Sequence, residues 1–361
     1  MPEGALSSLA VYNPRPTIEI DGQAQPRLTE LLLAMEADEA EGGMSRMMLR
    51  LSNVASLARG RAEPGFEDES LLRLGSRLVV GAGDSSAPAE IFRGTVSALS
   101  AEFSRTGPPE LVVYAEDALQ SARMTRKSRV FAAMSVADVV RTVAGEHGLT
   151  PVIDGLTDPV GDWAQWNESG LAFLRRLLAR FHADLQVVGD ELHVAPLRDL
   201  RRNEIELALH SQLGAVSVTA DLAHQVTGVS IAGWDAAAGE RIAHTATPEA
   251  LPPGTGRDAA SILEAAFGPR VEHLTVPAQT PREAEALARA ALERRQRGFV
   301  RASGDAEGNP RLRVGSHVRL TGISARFDNV YIVTRARHVY NLQRGYRTEF
   351  DAECASLGVP A

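Results

Sequence analysis

One stretch near the end of the chain decides the fold. Residues 309–353 read NPRLRVGSHVRLTGISARFDNVYIVTRARHVYNLQRGYRTEFDAE. Aromatic and β-branched side chains recur there at every second position, which is the spacing of a half-buried antiparallel sheet. Gly322 and Gly345 mark the turns. The stretch therefore predicts three strands, over residues 314–320, 330–340 and 346–352.

The same pattern occurs 240 residues earlier in the chain. The segment LRLGSRLVVG contains Gly75, and the segment LRVGSHVRLTG contains Gly315. Phe92 and Tyr331 open the strand that follows each glycine, at distances of 17 and 16 residues. A strand that ends in acidic residues comes next in both places. A shared order of strands behind a short sequence match indicates duplication, so we predict two copies of one β-module.

Composition and charge narrow the class of protein. The chain has 361 residues, so we expect two or three domains rather than one core. Its apolar content of 44% and charged content of 23% are typical of a globular protein. The formal net charge of −8 argues against nucleic-acid binding as the primary role, because phosphate contacts require a basic face. Cys354 is the single cysteine, which excludes a disulfide within the chain and a zinc site built on cysteines.

The patterning divides the chain into three units. Residues 1–122 are predicted to form a first β-domain, and residues 123–204 a small α+β domain. Residues 205–361 are predicted to form a second β-domain, which carries its own amphipathic helix over 281–296.

The middle unit contains clear helix signals. Ser135 is a good N-cap for one helix. Asn167 or Ser169 caps a second helix, which carries Phe173 in a wide apolar stripe. The basic run RMTRKSR over residues 123–129 precedes both helices. We interpret it as a solvated connector rather than as a contact site for an acidic partner.

A search for reactive motifs is negative. The motifs GxxxxGK[ST], HExxH and GxSxG are absent, and the nine histidines are scattered singly. Acidic groups at Glu116 and Asp117, and at Asp351 and Glu353, occupy equivalent strand ends. A structural role explains that placement more simply than general acid–base catalysis does. We therefore predict no catalytic, cofactor-binding or metal-binding residues.

Several short segments, taken in chain order, resemble one family. They are similar to segments of the phage late control D proteins, the hub proteins of contractile phage tails and related injection systems. The same hub module forms the N-terminal part of the VgrG spike proteins. The matching segments are IFRGTV at 91–96, AED at 115–117, QWNES at 165–169, GWD at 233–235 and GYRT at 345–348. We expect these residues to determine the fold: Gly75, Phe92, Gly94, Asp117, Asn167, Phe173, Trp234, Gly315, Tyr331 and Tyr346.

The resemblance implies an architecture and a set of partners. The implied fold is mainly β with an α+β insert, as two tail-tube-like β-barrel or sandwich modules plus a small helix-hairpin domain. The implied function is that of a non-enzymatic homotrimer with pseudo-hexameric symmetry. Its implied partners are an inner tube protein, a spike protein and other baseplate components, with no nucleic acid as a primary partner and no cofactor.

The N-terminal residues bear on localisation. Residues 1–16 lack the basic start and the apolar region of a signal peptide. No apolar run is long enough to span a bilayer. We therefore expect synthesis in the cytoplasm and incorporation into the baseplate of a phage tail or injection particle.

Two other classes of protein remain open on the sequence alone. A tail-associated hydrolase acting on cell-wall polysaccharide would need two carboxylates about 5–10 Å apart in a cleft. An adhesin that binds carbohydrate would need exposed aromatic side chains, and the chain has only three Trp and five Tyr.

Overall fold

The structure, a computed structural model, describes residues 15–56, 62–66, 69–84, 87–235, 238–276, 278 and 280–358. Within these residues the fold is mainly β, built on one 13-stranded sheet with smaller two- and three-stranded sheets beside it. This confirms the predicted fold class. The described strands of the large sheet form an open sheet and no closed barrel.

The first copy of the module contributes seven strands to the large sheet. The hairpin of its third and fourth strands pairs antiparallel, from Leu32 opposite Leu51 to Asp38 opposite Arg46. Its elements are β1 (Thr17–Ile20), β2 (Gln23–Ala24), α1 (Pro26–Leu31), β3 (Leu32–Ala40), β4 (Arg46–Ser52), β5 (Val54–Ser56), β6 (Ala62–Pro64), β7 (Arg77–Ala82), β8 (Ala89–Glu102) and β9 (Glu110–Glu116).

The middle unit combines short helices with two small sheets. Ser135 caps the first long helix by accepting a hydrogen bond from the Asp138 N–H, as predicted. Ser169, rather than Asn167, caps the second by accepting from the Ala172 N–H. The elements are α2 (Leu119–Met124), β10 (Arg126–Ser135), α3 (Val136–Glu146), β11 (Thr150–Ile153), β12 (Val160–Ser169), α4 (Gly170–Arg180), β13 (Ala183–Val188) and β14 (Glu191–Pro196).

The basic run at 123–129 is largely exposed, as a solvated segment should be, but it belongs to regular elements rather than to a connector. It spans the end of α2 and the start of β10. Lys127 and Arg129 both form ion pairs with Glu146 near the end of α3, and Arg123 pairs with Glu116. The two cations hold the pKa of Glu146 low, at about 2, chiefly because Arg129 donates hydrogen bonds to it. Two carboxylates of the chain therefore offset two of the four positive charges of the run.

The second copy contains the three strands predicted from the opening stretch and the predicted helix, which Thr280 caps. Three of its strands form a separate sheet that packs beside that helix. The elements are β15 (Glu204–Ala208), β16 (Leu213–Ala220), β17 (Gly228–Asp235), β18 (Glu240–Ala246), β19 (Arg257–Asp258), α5 (Ala259–Phe267), β20 (Val271–Thr275), α6 (Pro281–Arg297), β21 (Val300–Glu307), β22 (His317–Thr321), β23 (Asn329–Asn341), β24 (Gly345–Cys354) and β25 (Ser356–Leu357).

The two copies share both the chain order and the spatial order of their strands. In the first copy β1, β7, β8, β9, β4 and β3 lie side by side, and in the second β15, β22, β23, β24, β21 and β16 do so. The turns before β7 and β22 also match. The N–H of Gly75 donates to the Val96 carbonyl, and the N–H of Gly315 donates to the Val333 carbonyl. One pairing differs, because β1 runs antiparallel to β7 whereas β15 runs parallel to β22.

Strand pairing corrects one part of the sequence alignment. Leu78 lies opposite Gly94 in the first copy, and Val318 lies opposite Tyr331 in the second. Gly94, and not Phe92, therefore corresponds to Tyr331. A shift of two residues leaves each side chain on the same face of a strand, so the alternation of the sequence could not reveal it.

Three apolar cores support these sheets. One lies under the strands of the first copy, one under those of the second, and one joins the middle unit to α6 and β17. The first core also contains Tyr340 and Tyr346, which belong to the second copy. The two copies therefore share buried side chains as well as a sheet.

Gly94 provides a test of the packing in the first copy. A Cβ atom there would lie 2.2 Å from the carbonyl oxygen of Glu116 and 2.6 Å from the Phe92 ring. We expect Gly94→Ala to lower the free energy of unfolding by about 2 kcal/mol or more, because backbone must move. Gly145→Ala is the control, since a Cβ in this helix meets nothing within 4 Å. It should raise the free energy of unfolding by up to about 1 kcal/mol. Urea denaturation measures both, and equal effects would contradict the packing described.

Candidate functional site

The feature that unites the two copies is a seam between β3 and β23. These strands pair antiparallel over seven residues of each, from Arg335 opposite Ala40 to Asn341 opposite Ala34. In the spatial order given above, β3 is the last strand of the first copy, and β23 is the third strand of the second. The pairing makes one continuous sheet from two copies, so we treat the seam and its two faces as the candidate functional site.

The buried face of the seam contains an ion-pair triad. Glu39 of β3 is 4% exposed and pairs with Arg202 and Arg313, which are also largely buried. The Arg202–Glu39 distance is 3.2 Å. Burial lowers the pKa of Arg202. Burial also disfavours the charged form of Arg313, but the nearby carboxylate of Glu39 outweighs this effect and raises the pKa of Arg313. The single carboxylate is therefore shared by two guanidinium groups from the second half of the chain.

His338 lies beside this triad, in the middle of the seam. Its side chain is buried, and its Nδ1 lies 2.8 Å from the Tyr346 hydroxyl. Burial, with a smaller contribution from Arg313, lowers the pKa of His338 to about 3. The imidazole is therefore neutral in the folded protein at physiological pH.

The opposite face of the seam is polar, and its charges alternate in sign. Arg335 lies 2.8 Å from Asp38, which also pairs with Arg46 at 3.2 Å. Arg337 bridges Glu36 and Glu349 at 2.5 Å and 2.9 Å. Such a face offers a hydrated, nearly neutral surface, since each exposed cation has a carboxylate neighbour.

The turn between β3 and β4 fastens the middle unit to the seam. The Gly42 N–H donates to Asp184 at 2.6 Å, and Arg175 donates to the carbonyl oxygens of Gly42 and Gly43. The Ser45 N–H donates to Asp117 at 2.6 Å. A groove of about 670 Å³ opens at this turn.

Two carboxylates at the turn have the raised pKa that an acid catalyst would need. Burial raises the pKa of Asp117 and of Asp184 to about 6 in each case. Each is nevertheless committed to hydrogen bonds within the chain. Asp117 accepts from two backbone N–H groups, and Asp184 accepts from the Gly42 N–H and from the side-chain amide of Gln186. Their arrangement fixes the chain and leaves neither aimed at a substrate.

The residues expected to determine the fold lie in several parts of the molecule. The glycines of the two matching turns, Gly75 and Gly315, have φ of 85° and 80°. The Phe92 ring covers Gly94, and the hydroxyl of the buried Tyr331 donates to the Phe327 carbonyl at 2.8 Å. Of this set, Tyr346 alone contacts the seam through a hydrogen bond given above.

The remaining members lie in the middle unit and in the small sheet near α6. Phe173 is buried and stacks on Phe131 with ring centroids 5.4 Å apart. Asn167 has φ of 46° and donates its N–H to Ser128. Trp234 is 61% exposed on β17. These three positions do not converge with the seam.

The seam itself contains residues that sequence reasoning missed. Glu39, Arg202, Arg313 and His338 were not singled out, although one signal existed. In β3 the buried positions alternate through Met35 and Ala37 to Glu39, so an acidic residue occupies a core-facing position. A buried carboxylate requires a cationic partner, and that partner lies far away in the chain.

Other kinds of site find no support in the described part of the chain. No group of three or more His, Cys, Asp or Glu side chains there is placed to hold a metal ion. No helix among the described residues has the length and apolarity needed to cross a bilayer.

Removing the triad's carboxylate tests the buried face of the seam. We expect Glu39→Ala to lower the free energy of unfolding by about 3–5 kcal/mol, because two buried guanidinium groups lose their partner. Glu102→Ala is the control, since it breaks an ion pair with Arg50 at a half-exposed site. Its cost should stay below about 1 kcal/mol. Urea denaturation of both variants measures the difference, and similar losses would contradict the importance of the triad.

The low pKa of His338 predicts a pH dependence of stability. Between pH 6.5, the ordinary pKa, and about 3, the unfolded chain binds a proton at His338 that the folded chain does not. The stabilisation due to neutral His338 is thus complete above pH 6.5 and is lost as the pH falls. Relative to His338→Gln, the wild type should lose about 2 kcal/mol of unfolding free energy between pH 7.5 and pH 5. Denaturation at both pH values tests this, and a difference that stays constant would contradict the buried, neutral imidazole.

Comparison with solved structures finds this fold in tail proteins. A prophage tail protein from Shewanella oneidensis has a TM-score of 0.68 and 11% identity, over 94% of this chain and 97% of its own. A tail protein from Neisseria meningitidis has a TM-score of 0.66 and 11% identity, over 95% and 96% of the two chains. A component of the E. coli type VI secretion system has a TM-score of 0.56 and 13% identity, over 95% and 77%. At these identities the likeness shows a shared fold.

Comparison with curated proteins finds no match. The likeness to solved tail proteins confirms the tail-protein fold that the resemblance implied, but the family model that matches is not a late control D model. It is described as the Alg8 N-terminal domain, and it matches residues 61–341. Because this match covers most of the chain, the protein belongs to the Alg8 N-terminal domain family.

Proposed function

We propose that this protein is a structural hub of a contractile injection machine. In this role it is a homotrimer that joins a sixfold inner tube to a threefold spike. The observation that carries the proposal is the duplication, in which two copies of one strand order lie in one chain and share one sheet through the seam. The described fold also occurs in tail proteins and in a type VI secretion component, which supports the same role.

The duplication suits a change of symmetry. A trimer of a chain with two equivalent modules presents six similar units around its axis, while it keeps true threefold symmetry. One face of such a ring can match a sixfold tube, and the other can match a threefold spike. A chain with a single module would leave one of the two faces mismatched.

The three predicted units receive distinct roles in this proposal. Residues 1–122 and 205–361 supply the tube-like modules, and residues 123–204 brace them. Arg180 of α4 pairs with Glu283 of α6 at 2.8 Å, and Asp184 of β13 accepts a hydrogen bond from the Gly42 N–H of the β3–β4 turn at 2.6 Å. The middle unit thus contacts both modules, which favours a rigid ring.

The polar face of the large sheet is the surface we assign to the lumen. Its alternating charges are paired within the chain, as at Arg337 with Glu36 and at Arg347 with Asp305. A hydrated face with internal ion pairs suits a channel wall better than a protein–protein interface, whose centre is usually depleted of charge. The partners we propose are the tube protein, the spike protein and other baseplate components, with no catalytic role for the hub.

Stoichiometry in the assembled particle tests this function. We expect three copies of the chain per particle end, located on the central axis between tube and spike, because one trimer closes the ring. Quantitative mass spectrometry of purified particles gives the copy number, and electron microscopy of particles carrying an antibody label gives the position. Six copies per end, or a position away from the axis, would overturn the proposal.

A further inference from the structure

Besides the short strands β2 and β15, two parts of the large sheet have an open strand edge among the described residues. β16 pairs with β21 on one side only. β8 pairs with β7 only up to Thr95 and the adjoining turn, and from Ala98 onwards that edge is open. Exposed strand edges of this length present unpaired N–H and C=O groups to any chain that can pair with them.

Because the two copies are equivalent, each open edge in one copy has a counterpart strand in the other copy. The ladder of β8 with β9 has an irregularity between Val96 and Ala98, and that of β23 with β24 has one between Val333 and Arg335. Residues 98–104 therefore correspond to residues 335–341, which form the second-copy side of the seam.

The other open edge has a counterpart by the same reasoning. The ladder of β3 with β4 is irregular between Leu32 and Ala34, and that of β16 with β21 is irregular between Leu213 and Ala215. Residues 215–221 therefore correspond to residues 34–40, which form the first-copy side of the seam. Each open edge is thus the counterpart of one strand of the seam.

We propose that the two open edges pair between neighbouring copies of this chain and form a second seam. β16 of one copy runs antiparallel to residues 98–104 of the next, with Ala98 opposite Asp221 and Ser104 opposite Ala215. This inference rests on the proposed trimer and names the surface that closes it. Six modules would then be joined by three seams within chains and three between them.

The side chains at the two edges are complementary. On the face that corresponds to the buried side of the seam, one edge carries Leu99, Ala101 and Phe103. The other edge carries Val216, Val218 and Ala220 on the corresponding face. Apolar residues thus meet apolar residues in the proposed register, which is the pairing that stabilises neighbouring strands.

Phe103 is the strongest single indication. Its side chain is 76% exposed, although its counterpart Tyr340 is buried in the core of the other module. In the second seam Phe103 would enter the core under the second module of the neighbouring chain, where Val216 and Val218 are packed at the edge. A buried aromatic anchor is the usual centre of a protein interface.

The second seam requires no buried charge. The counterpart of Glu39 is Ala220, so no carboxylate enters the neighbour's core. The segments 98–104 and 215–221 read ALSAEFS and AVSVTAD, without Lys, Arg or Pro. Proteins commonly place such residues on open edges to prevent pairing, and neither edge has this protection.

Cysteine cross-linking tests the register directly. Ser100 and Thr219 lie opposite each other in the proposed pairing, with Cβ atoms expected about 5 Å apart. We expect the double variant Ser100→Cys, Thr219→Cys to form covalent dimers and trimers on oxidation. The pair Ser104→Cys, Thr219→Cys is the control, because it is displaced by four residues, or about 13 Å. Cross-linking should fall at least about tenfold in the control. Cys354 is buried and unchanged in both.

A matched pair of surface variants tests the anchor. Phe103→Asp should convert the trimer to monomer in native mass spectrometry. Phe267→Asp should leave it intact, because Phe267 is equally exposed, at 77%, but belongs to α5 and to neither of the two edges. Circular dichroism should show both variants folded, because neither side chain is buried within one chain.

The outcomes separate this seam from the proposed function. A trimer that persists in Phe103→Asp, with no cross-link in the matched pair, overturns the seam and leaves the trimeric hub standing. If the Ser100→Cys, Thr219→Cys variant forms cross-linked species of more than three subunits, the seam is upheld and the threefold hub is contradicted. Cross-linking that stops at dimers indicates a twofold interface and overturns the seam, since head-to-tail contacts must continue or close. A chain that stays monomeric and uncrosslinked at high concentration overturns both.

Discussion

The structure depends on the pairing of β3 with β23. This ladder joins strands that are about three hundred residues apart in the chain, and it fixes how the two modules face each other. Because side chains alternate across a strand, the register also decides which groups meet on each face. It places Glu39 among buried guanidinium groups on one side, and it places Asp38 and Glu36 beside Arg335 and Arg337 on the other. A slip of one residue in this register would bury Asp38 and Glu36 and would expose Glu39.

The two copies differ most in the connection that faces the middle unit. In the first copy a short turn joins β3 to β4, and the middle unit holds that turn through Asp184 and Arg175. In the second copy the equivalent connection, between β16 and β21, contains a small sheet and the helices α5 and α6. The middle unit and α6 share one apolar core. The two copies thus share the sheet but differ in the connection between β3 and β4, or between β16 and β21, which is where the middle unit packs.

Local patterns predicted the local structure well. The strands from 309–353, the cap at Ser135 and the helix over 281–296 all depend on residues close in sequence, and each is present. The seam was not predicted, because alternation within a strand does not identify its partner strand. Glu39 at a core-facing position of β3 indicates only that a cationic partner is needed. The ion pairs of the basic run were not predicted for a similar reason, since Glu146 lies about twenty residues further along the chain. The match of Phe92 with Tyr331 failed by two residues, a shift to which alternation is insensitive.

The central claim is that the two modules of one chain are equivalent units of a single ring. An electron microscopy map of the assembled ring, at a resolution that separates strands, tests it most directly. The measurement is the rotation that superposes the first module of one chain on the second. The account predicts about 60° around the ring axis, since six equivalent units divide a full turn. A rotation far from that value, or a large shift along the axis, would contradict it.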